Sequence, residues 1–416
     1  MAIVRPFKGV RPNPELAEKV ACLPYDVMNR AEAKKMAEGN PFSYLRICRS
    51  EIDLEDSVDA YDPLVYQTAR KNLDQFQADG TLIQDQAPIY YIYRQLMNGR
   101  VQTGIVATVS IDEYQNDIIK KHEFTRPEKE VDRIHNFDVC DAHTEPVFLS
   151  YRRSDEINLI VNDWIKFHMP AYNFNSVDGI THILWPVTDL AVVERLQALF
   201  GGVKYLYIAD GHHRSASSVK VGLKRREENP GYTGDEEFNF FMAVIFPDED
   251  LFIMDYNRVV KDLNGYTKVE FMDKVEEKFT IEKMGAAEPF KPMERRTFGM
   301  LLDGEWYKLT IKKGFFNPAD PVERLDVSIL QRNLLGPILG IENPRTDKRI
   351  DFVGGIRGLK ELERRCSLDM KVAFSMYPTT MDDLLSIADA GEVMPPKSTW
   401  FEPKLASGLF LHKMND

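Results

Sequence analysis

Five consecutive residues suited to chemistry, Asp210-Gly211-His212-His213-Arg214, stand in the middle of this 416-residue chain. They follow an all-apolar run, 205–209, that reads as a strand covered on both faces. After them come the small residues Ser215, Ala216, Ser217 and Ser218, where a helix is expected to begin. Gly211 permits a tight turn or a close backbone approach to a ligand. The N–H groups and dipole of a first helical turn favour an anion, and Arg214 adds a forked donor for phosphate or carboxylate. His212 and His213 can donate, accept or shuttle a proton near neutral pH. Asp210 suits metal binding or general-base work. One capping aspartate would be unremarkable, but five such residues together at a strand end point to an active site. Adjacent histidines face different sides of a strand or helix, which disfavours joint ligation of one ion.

A second group lies in the charged stretch 120–133, where His122, Glu123, Arg126, Lys129 and Arg133 offer acid–base groups and phosphate-binding cations. Pro127 suits a first helical turn. Val131 and Ile134 are then expected to face the core, while Lys129 and Arg133, four apart, share a face. His122-Glu123 superficially fits a His-Glu-x-x-His zinc motif, but Arg126 stands at its last position. A charge run is more often a solvated face. Near the end, Lys397, Ser398, Thr399 and Lys404 put two lysines and two hydroxyls on a proline-stiffened strip that could reach into a pocket. It lacks the glycines of a P-loop. The turn Gly354-Gly355-Ile356-Arg357-Gly358 could cradle phosphate, a weak signal alone. Asp26, in the stiff stretch 23–27, is either a turn residue or a ligand contact.

The elements that must position these residues are interspersed helices and strands. Asn29 caps a helix through 38, and helices follow at 57–79, 154–168 and 189–200. Strands at 89–93 and 101–111 flank an Asn98-Gly99 turn, and a further strand covers 239–246. A hairpin is expected around Asp303-Gly304, and a strand at 349–353. The class is therefore mixed α/β, that is α+β. Two regions are expected: an N-terminal α+β domain, 1–265, carrying the Asp210–Arg214 site, and a C-terminal α+β region, 266–416, whose tail completes it.

Composition narrows the function classes. The net charge of -12 argues against a nucleic-acid partner, which needs concentrated basic surface, but it leaves room for a local basic pocket around a small anion. Four cysteines far apart make neither a zinc pattern nor a disulfide scaffold. No apolar run approaches the ~20 residues that span a bilayer. The expectation is a soluble cytoplasmic protein without a membrane partner.

Several blocks together make the chain similar to the bacterial family called domain of unknown function 1015. They are Arg5-Pro6 with Arg11, Pro24-Tyr25-Asp26-Val27, and His122-Glu123-x-Thr125 with Asp132-Arg133. They continue in Ala209-Asp210-Gly211-His212-His213-Arg214 and in Met394-Pro395-Pro396-Lys397-Ser398-Thr399 through Phe401-x-Pro403-Lys404. The Asp210–Arg214 box, followed by small residues, also resembles the nucleotide-binding box of the ParB/sulfiredoxin-like superfamily, which includes partition CTPases and free-serine kinases. That resemblance implies a ParB/sulfiredoxin-like nucleotide-binding core with additional α+β elements. It implies a nucleotide-dependent phosphotransferase acting on a small hydroxylated metabolite, with free L-serine or phosphoserine as the leading substrate and ATP, ADP or another nucleotide with Mg²⁺ as cofactors. Gly211 and Arg214 would hold phosphates, with Lys129, Arg133 and Lys397 neutralising charge. Glu123 or Asp210 would accept the hydroxyl proton or bind Mg²⁺, and His212 or His213 would touch the transferred group. Asp26, His122, Arg126, Thr399 and Lys404 complete the expected substrate and nucleotide contacts. The alternatives are a metal-dependent hydrolase of a small phosphorylated metabolite, using His122, Asp210, His212 and His213, and a non-catalytic nucleotide sensor. A homo-oligomer is compatible with each.

Overall fold

Asn98 and Gly99 take φ values of 51° and 78°, the two-residue turn that matches the right-handed twist of a hairpin. In the computed structural model they join strands Tyr90–Met97 and Arg100–Ser110. The structure describes residues 1–415 except Phe124, Arg126 and 285–288; the side chains of Glu128 and Lys129 also lie outside the described set. The hairpin sits in a nine-stranded sheet. Its path runs Ile119–Lys120, Leu206–Asp210, Val147–Tyr151, Phe240–Pro247, Arg100–Ser110, Tyr90–Met97, Thr181–Val187 and Tyr172–Asn175. Val4–Arg5 pairs beside Arg100–Ser110. Phe240–Pro247 is buried at every position, as its continuous apolar sequence requires. It runs parallel to Val147–Tyr151 and antiparallel to Arg100–Ser110, so the sheet is mixed and the class is α+β.

Capping residues set the helix starts. Asn29 and Glu32 form a reciprocal capping box ahead of Arg30–Ala37. Ser154 caps Asp155–Phe167, and Asp189 caps Leu190–Phe200. The helix expected at 57–79 begins later, at Pro63–Ala78, because Asp62 caps it and Pro63 takes the first position. The helix Pro127–Cys140 turns inward a face shifted from the one expected: Ile134 packs partly buried against the cluster of Phe137, Val221 and Phe238, while Val131 does not. Glu130, Arg133, Asn136, Phe137 and Cys140 are buried, whereas Val131 is 50% exposed. Phe137 and Cys140 outweigh one valine, and the charged residues one and two turns earlier follow them inside.

Two compact units emerge. The first comprises Met1–Lys121, Thr125–Leu251 and Pro403–Asp416; the second comprises His122–Phe124 and Phe252–Glu402. The boundary expected after residue 265 thus falls inside the second unit, and the chain's last residues return to the first. Cys22 and Ser407 exchange backbone hydrogen bonds, and His412–Lys413 pairs with Ala142–His143. Beneath that pairing, His143 and His412 meet Nδ1 to Nδ1 at 3.0 Å, and His412 Nε2 lies 2.6 Å from Glu237 Oε2.

In the second unit an antiparallel six-stranded sheet runs Phe279–Lys283, Glu305–Ile311, Thr297–Leu302, Val372–Ser375, Tyr256–Val260 and Ile350–Gly354. The Gly354-Gly355 turn after its last strand serves packing rather than the phosphate cradle that the sequence suggested. A Cβ on Gly354 would lie 2.7 Å from the Trp400 ring, and one on Gly355 would lie 2.7 Å from Asp255 Oδ1.

Candidate functional site

The strand Leu206–Asp210 ends in a register shift between Ile208 and Asp210. Gly211 follows with φ 91° and ψ 31°, a left-handed conformation that L side chains resist. The chain then enters the helix His212–Glu228 at once, earlier than the small-residue run at 215 suggested. One glycine absorbs the whole change of direction, so His212, His213 and Arg214 form the first helical turn. The small residues let this helix press onto Pro127–Cys140: Ser217 Oγ donates to the Glu130 carbonyl at 3.0 Å, and Lys220 pairs with the Glu130 carboxylate.

Arg214 folds back over the turn. A Cβ on Gly211 would meet its Nε at 3.0 Å and its Cζ at 3.2 Å, so the guanidinium lies where only glycine leaves room. Its Nη1 donates to the Pro146 carbonyl at 2.6 Å. Burial works against this charge, but the carboxylates of Asp210, Asp26 and Glu145 more than offset it and raise the Arg214 pKa. Beside it, Asp210 Oδ2 accepts from Lys404 Nζ at 3.0 Å, and Oδ1 accepts the Gly211 N–H at 2.8 Å. Burial alone would raise the Asp210 pKa; Lys404 and Arg214 overcome it and hold the carboxyl well below the usual range. A carboxylate so stabilised is a poor general base, which corrects that part of the expectation for Asp210. His212 is buried, and burial brings its pKa down to about 4 against the pull of Asp210. It is a neutral imidazole at physiological pH.

Glu145 ties this turn to the amino-terminal segment. Its Oε1 accepts the Tyr25 N–H at 3.3 Å and the Ser407 hydroxyl at 2.8 Å, and its Oε2 lies 3.4 Å from Arg133 Nη1. Burial raises the Glu145 pKa, with Arg133 and Arg214 opposing. Arg133 also pairs with Asp132 at 2.8 Å and lies 3.9 Å from the Tyr25 ring centroid. Expected as a cation for incoming phosphate, it is also an internal ion-pair partner of Asp132 and Glu145, as Arg214 and Lys404 are of the carboxylates beside them. A pocket of about 170 Å³ opens against this network, with Tyr25, Asp26, Tyr61, Tyr66, Arg133 and Asn136 in its lining. Asp26 is exposed on that lining, in the single turn Tyr25–Val27.

Of the residues singled out in the sequence, Asp26, Arg133, Asp210, Gly211, His212, His213, Arg214 and Lys404 all belong to the first unit. The field of His213 reaches Glu130. His122, Glu123, Lys397 and Thr399 belong to the second unit. There the His122 carbonyl accepts the Met394 N–H at 2.9 Å, and the Lys397 carbonyl accepts from Arg258 at 3.0 Å. Arg126 and the Lys129 side chain lie outside the described residues. Among the described residues no three His, Cys, Asp or Glu side chains gather as a metal-binding group, which removes structural support from the His122, Asp210, His212 and His213 ligand set. Sequence reasoning missed Glu145 and Ser407, and took Tyr25 only as part of the Pro24–Val27 block. The available signal was Glu145 itself, a carboxylate two residues before the apolar strand Val147–Tyr151.

No curated protein matches the chain in sequence. Solved structures with a similar course include a free serine kinase in complex with AMP, at 14% identity and TM-score 0.36, covering 73% of this chain and 92% of that one. A conserved hypothetical protein from Pyrococcus furiosus matches at 15% identity and TM-score 0.36, covering 73% of this chain and 95% of the other. SbnI from Staphylococcus aureus, truncated at its C-terminus, matches at 9% identity and TM-score 0.38, covering 73% and 85%. No helix among the described residues is long and apolar enough to cross a membrane. The family described as protein of unknown function (DUF1015) matches residues 4–328, most of the 416, and the chain belongs to it.

Proposed function

We propose that the first unit carries a phosphotransfer site for a nucleotide and a small hydroxylated metabolite, with free L-serine, or phosphoserine in reverse, as the leading substrate. The Gly211 turn carries the reading: a left-handed glycine between a buried strand and a helix start, covered by the Arg214 guanidinium and flanked by Lys404 on Asp210. Two cations and a helix N-terminus meet there, an arrangement suited to phosphate charge. Phosphoryl transfer asks chiefly for positioning and charge neutralisation. The likeness of the Asp210–Arg214 box to the ParB/sulfiredoxin-like nucleotide box supports the same role.

In this reading Gly211 and Arg214 hold the phosphates of ATP or ADP, and Lys404 neutralises charge beside them. Asp210, anionic at any physiological pH, would hold the Mg²⁺ that neutralises the transferring group. The neutral His212 donates a hydrogen bond to that group. Asp26 accepts the hydroxyl proton. The adjoining pocket of about 170 Å³ is small beside ordinary ligand sites of roughly 300–1,000 Å³, and it suits a metabolite of a few heavy atoms.

A thermal-shift screen against ATP, ADP, CTP and GTP, with and without Mg²⁺, serine and phosphoserine, tests the proposal. A nucleotide at a hundred times its Kd stabilises by about 2.7 kcal/mol, and Arg214→Ala should abolish the response. Asp26→Asn, at an exposed position, should keep both fold and nucleotide response while slowing transfer about 10²–10⁴-fold, as loss of a general base does. No response to any nucleotide overturns the proposal. Tight nucleotide binding without transfer to serine would instead identify a sensor, and nucleotide-independent phosphoserine hydrolysis abolished by chelator would identify the metal-dependent hydrolase.

A further inference from the structure

The far end of the same sheet holds a second cavity, of about 280 Å³. Phe148, at the start of Val147–Tyr151, pairs with Asp210; Tyr151 closes the other end of that strand and lines the cavity. The floor is apolar, with Ile105 facing Ile245 across adjacent strands. Polar groups converge above it from three further elements: Arg94 from Tyr90–Met97, Asn162 from Asp155–Phe167, and Glu249 and Asp250 from the turn Asp248–Asp250.

Three groups around the cavity, Tyr151, Arg94 and Asp250, have hydrogen-bonding capacity that no described residue uses. Tyr151 is 2% exposed as a residue, and no described residue bonds its hydroxyl, whose oxygen keeps its access to solvent on the cavity side. Arg94 is held rigidly: its Nε donates to Thr103 Oγ1 at 2.9 Å, and its guanidinium lies 5.7 Å from the Trp185 ring centroid. No described residue accepts from its two terminal amino groups. Burial lowers the Arg94 pKa, and Asp250 only partly restores it. Opposite in charge, Asp250 receives the Thr103 N–H on Oδ2 at 3.0 Å and keeps its second oxygen unengaged. Glu249 stands beside it, bound by Arg153 and Asn158.

We infer that this cavity is a binding site for a small zwitterion, a free amino acid or close analogue, whose carboxylate docks on the Arg94 fork and the Tyr151 hydroxyl and whose ammonium docks on Asp250. A planar guanidinium with two free N–H edges matches a carboxylate. A carboxylate with one free oxygen matches an ammonium. The apolar floor leaves a neutral side chain room. This site is separate from the phosphotransfer reading and stands without it.

Thermal-shift titration of the full chain with each free proteinogenic L-amino acid tests it, with acetate and methylammonium as single-charge controls. At least one amino acid should raise the melting temperature where neither control does. Tyr151→Phe should leave the ligand-free protein about as stable, because it removes a hydroxyl that no described residue bonds. The same change should weaken the amino acid about ten-fold, the value of one hydrogen bond to a charged group. Arg94→Gln should abolish the response. A response to an amino acid other than serine that survives both substitutions overturns the proposal, as does no such response in the wild type or one that acetate or methylammonium alone reproduces. Nucleotide responses are unaffected by either outcome, so the two sites can fail separately.

Discussion

At the scale of single residues, Gly211 is where backbone and site chemistry coincide. Gly39 is also left-handed, at φ 70°, but nothing lies within 4 Å of where its Cβ would stand. Gly39→Ala should therefore cost only the conformational penalty, roughly 1–2 kcal/mol. Gly211→Ala should cost more, because the new methyl must displace the Arg214 guanidinium, and it alone should remove the nucleotide response. Urea melts and nucleotide titrations of the two variants check both statements. The type and order of Asp210, Gly211 and Arg214 were legible in the sequence because each stands out from an apolar strand. What they do to one another was not. That Lys404 would meet Asp210, or that Arg133 would pair with Asp132 and Glu145, depends on pairings 194 and 12 residues apart. Periodicity and local spacing carry no information about such contacts.

At the scale of elements, helix starts read unevenly and the choice of buried face read poorly. Asn29 announces its helix because a cap acts within three residues. Ser154 and Asp189 cap the helices expected at 154–168 and 189–200, but the cap at Asp62 reads poorly and its helix starts later than expected. The inward face of Pro127–Cys140 is chosen by what it packs against, so the valine that signalled core at 131 is on the surface. A different element carries a pH signature. Asp326, first residue of the helix Asp326–Leu330, accepts the Arg296 N–H on both oxygens at 2.9 and 3.0 Å. Burial pushes its pKa up to about 7; the Arg296 N–H and Arg295 oppose the shift, and Asp383 adds to it. The unfolded chain releases this proton near pH 4 while the folded unit keeps it. Stability therefore falls as pH rises from about 4 to about 7 and this contribution levels off above. Asp326→Asn should flatten that slope in urea melts taken across the range, whereas an unchanged slope would assign it to other groups.

At the scale of the whole molecule, the mixed α+β class followed from the interspersed patterns, but the division into units did not. A boundary drawn along the sequence cannot anticipate that Pro403–Asp416 belongs with the residues before 252. Leu405, Leu409, Phe410 and Leu411 are apolar and buried, and from sequence alone they could have served either unit. This return has a consequence in the order of synthesis. A ribosome must complete all of 252–402 before the residues that close the first unit emerge, and Lys404 follows Asp210 by 194 positions. Until then Ala142–His143 lacks its partner strand, and Cys22 lacks Ser407. Closing so long a loop is slow, so the nascent first unit must wait with open edges. A chain that stops before residue 403 lacks Lys404, and with it the salt bridge that holds Asp210.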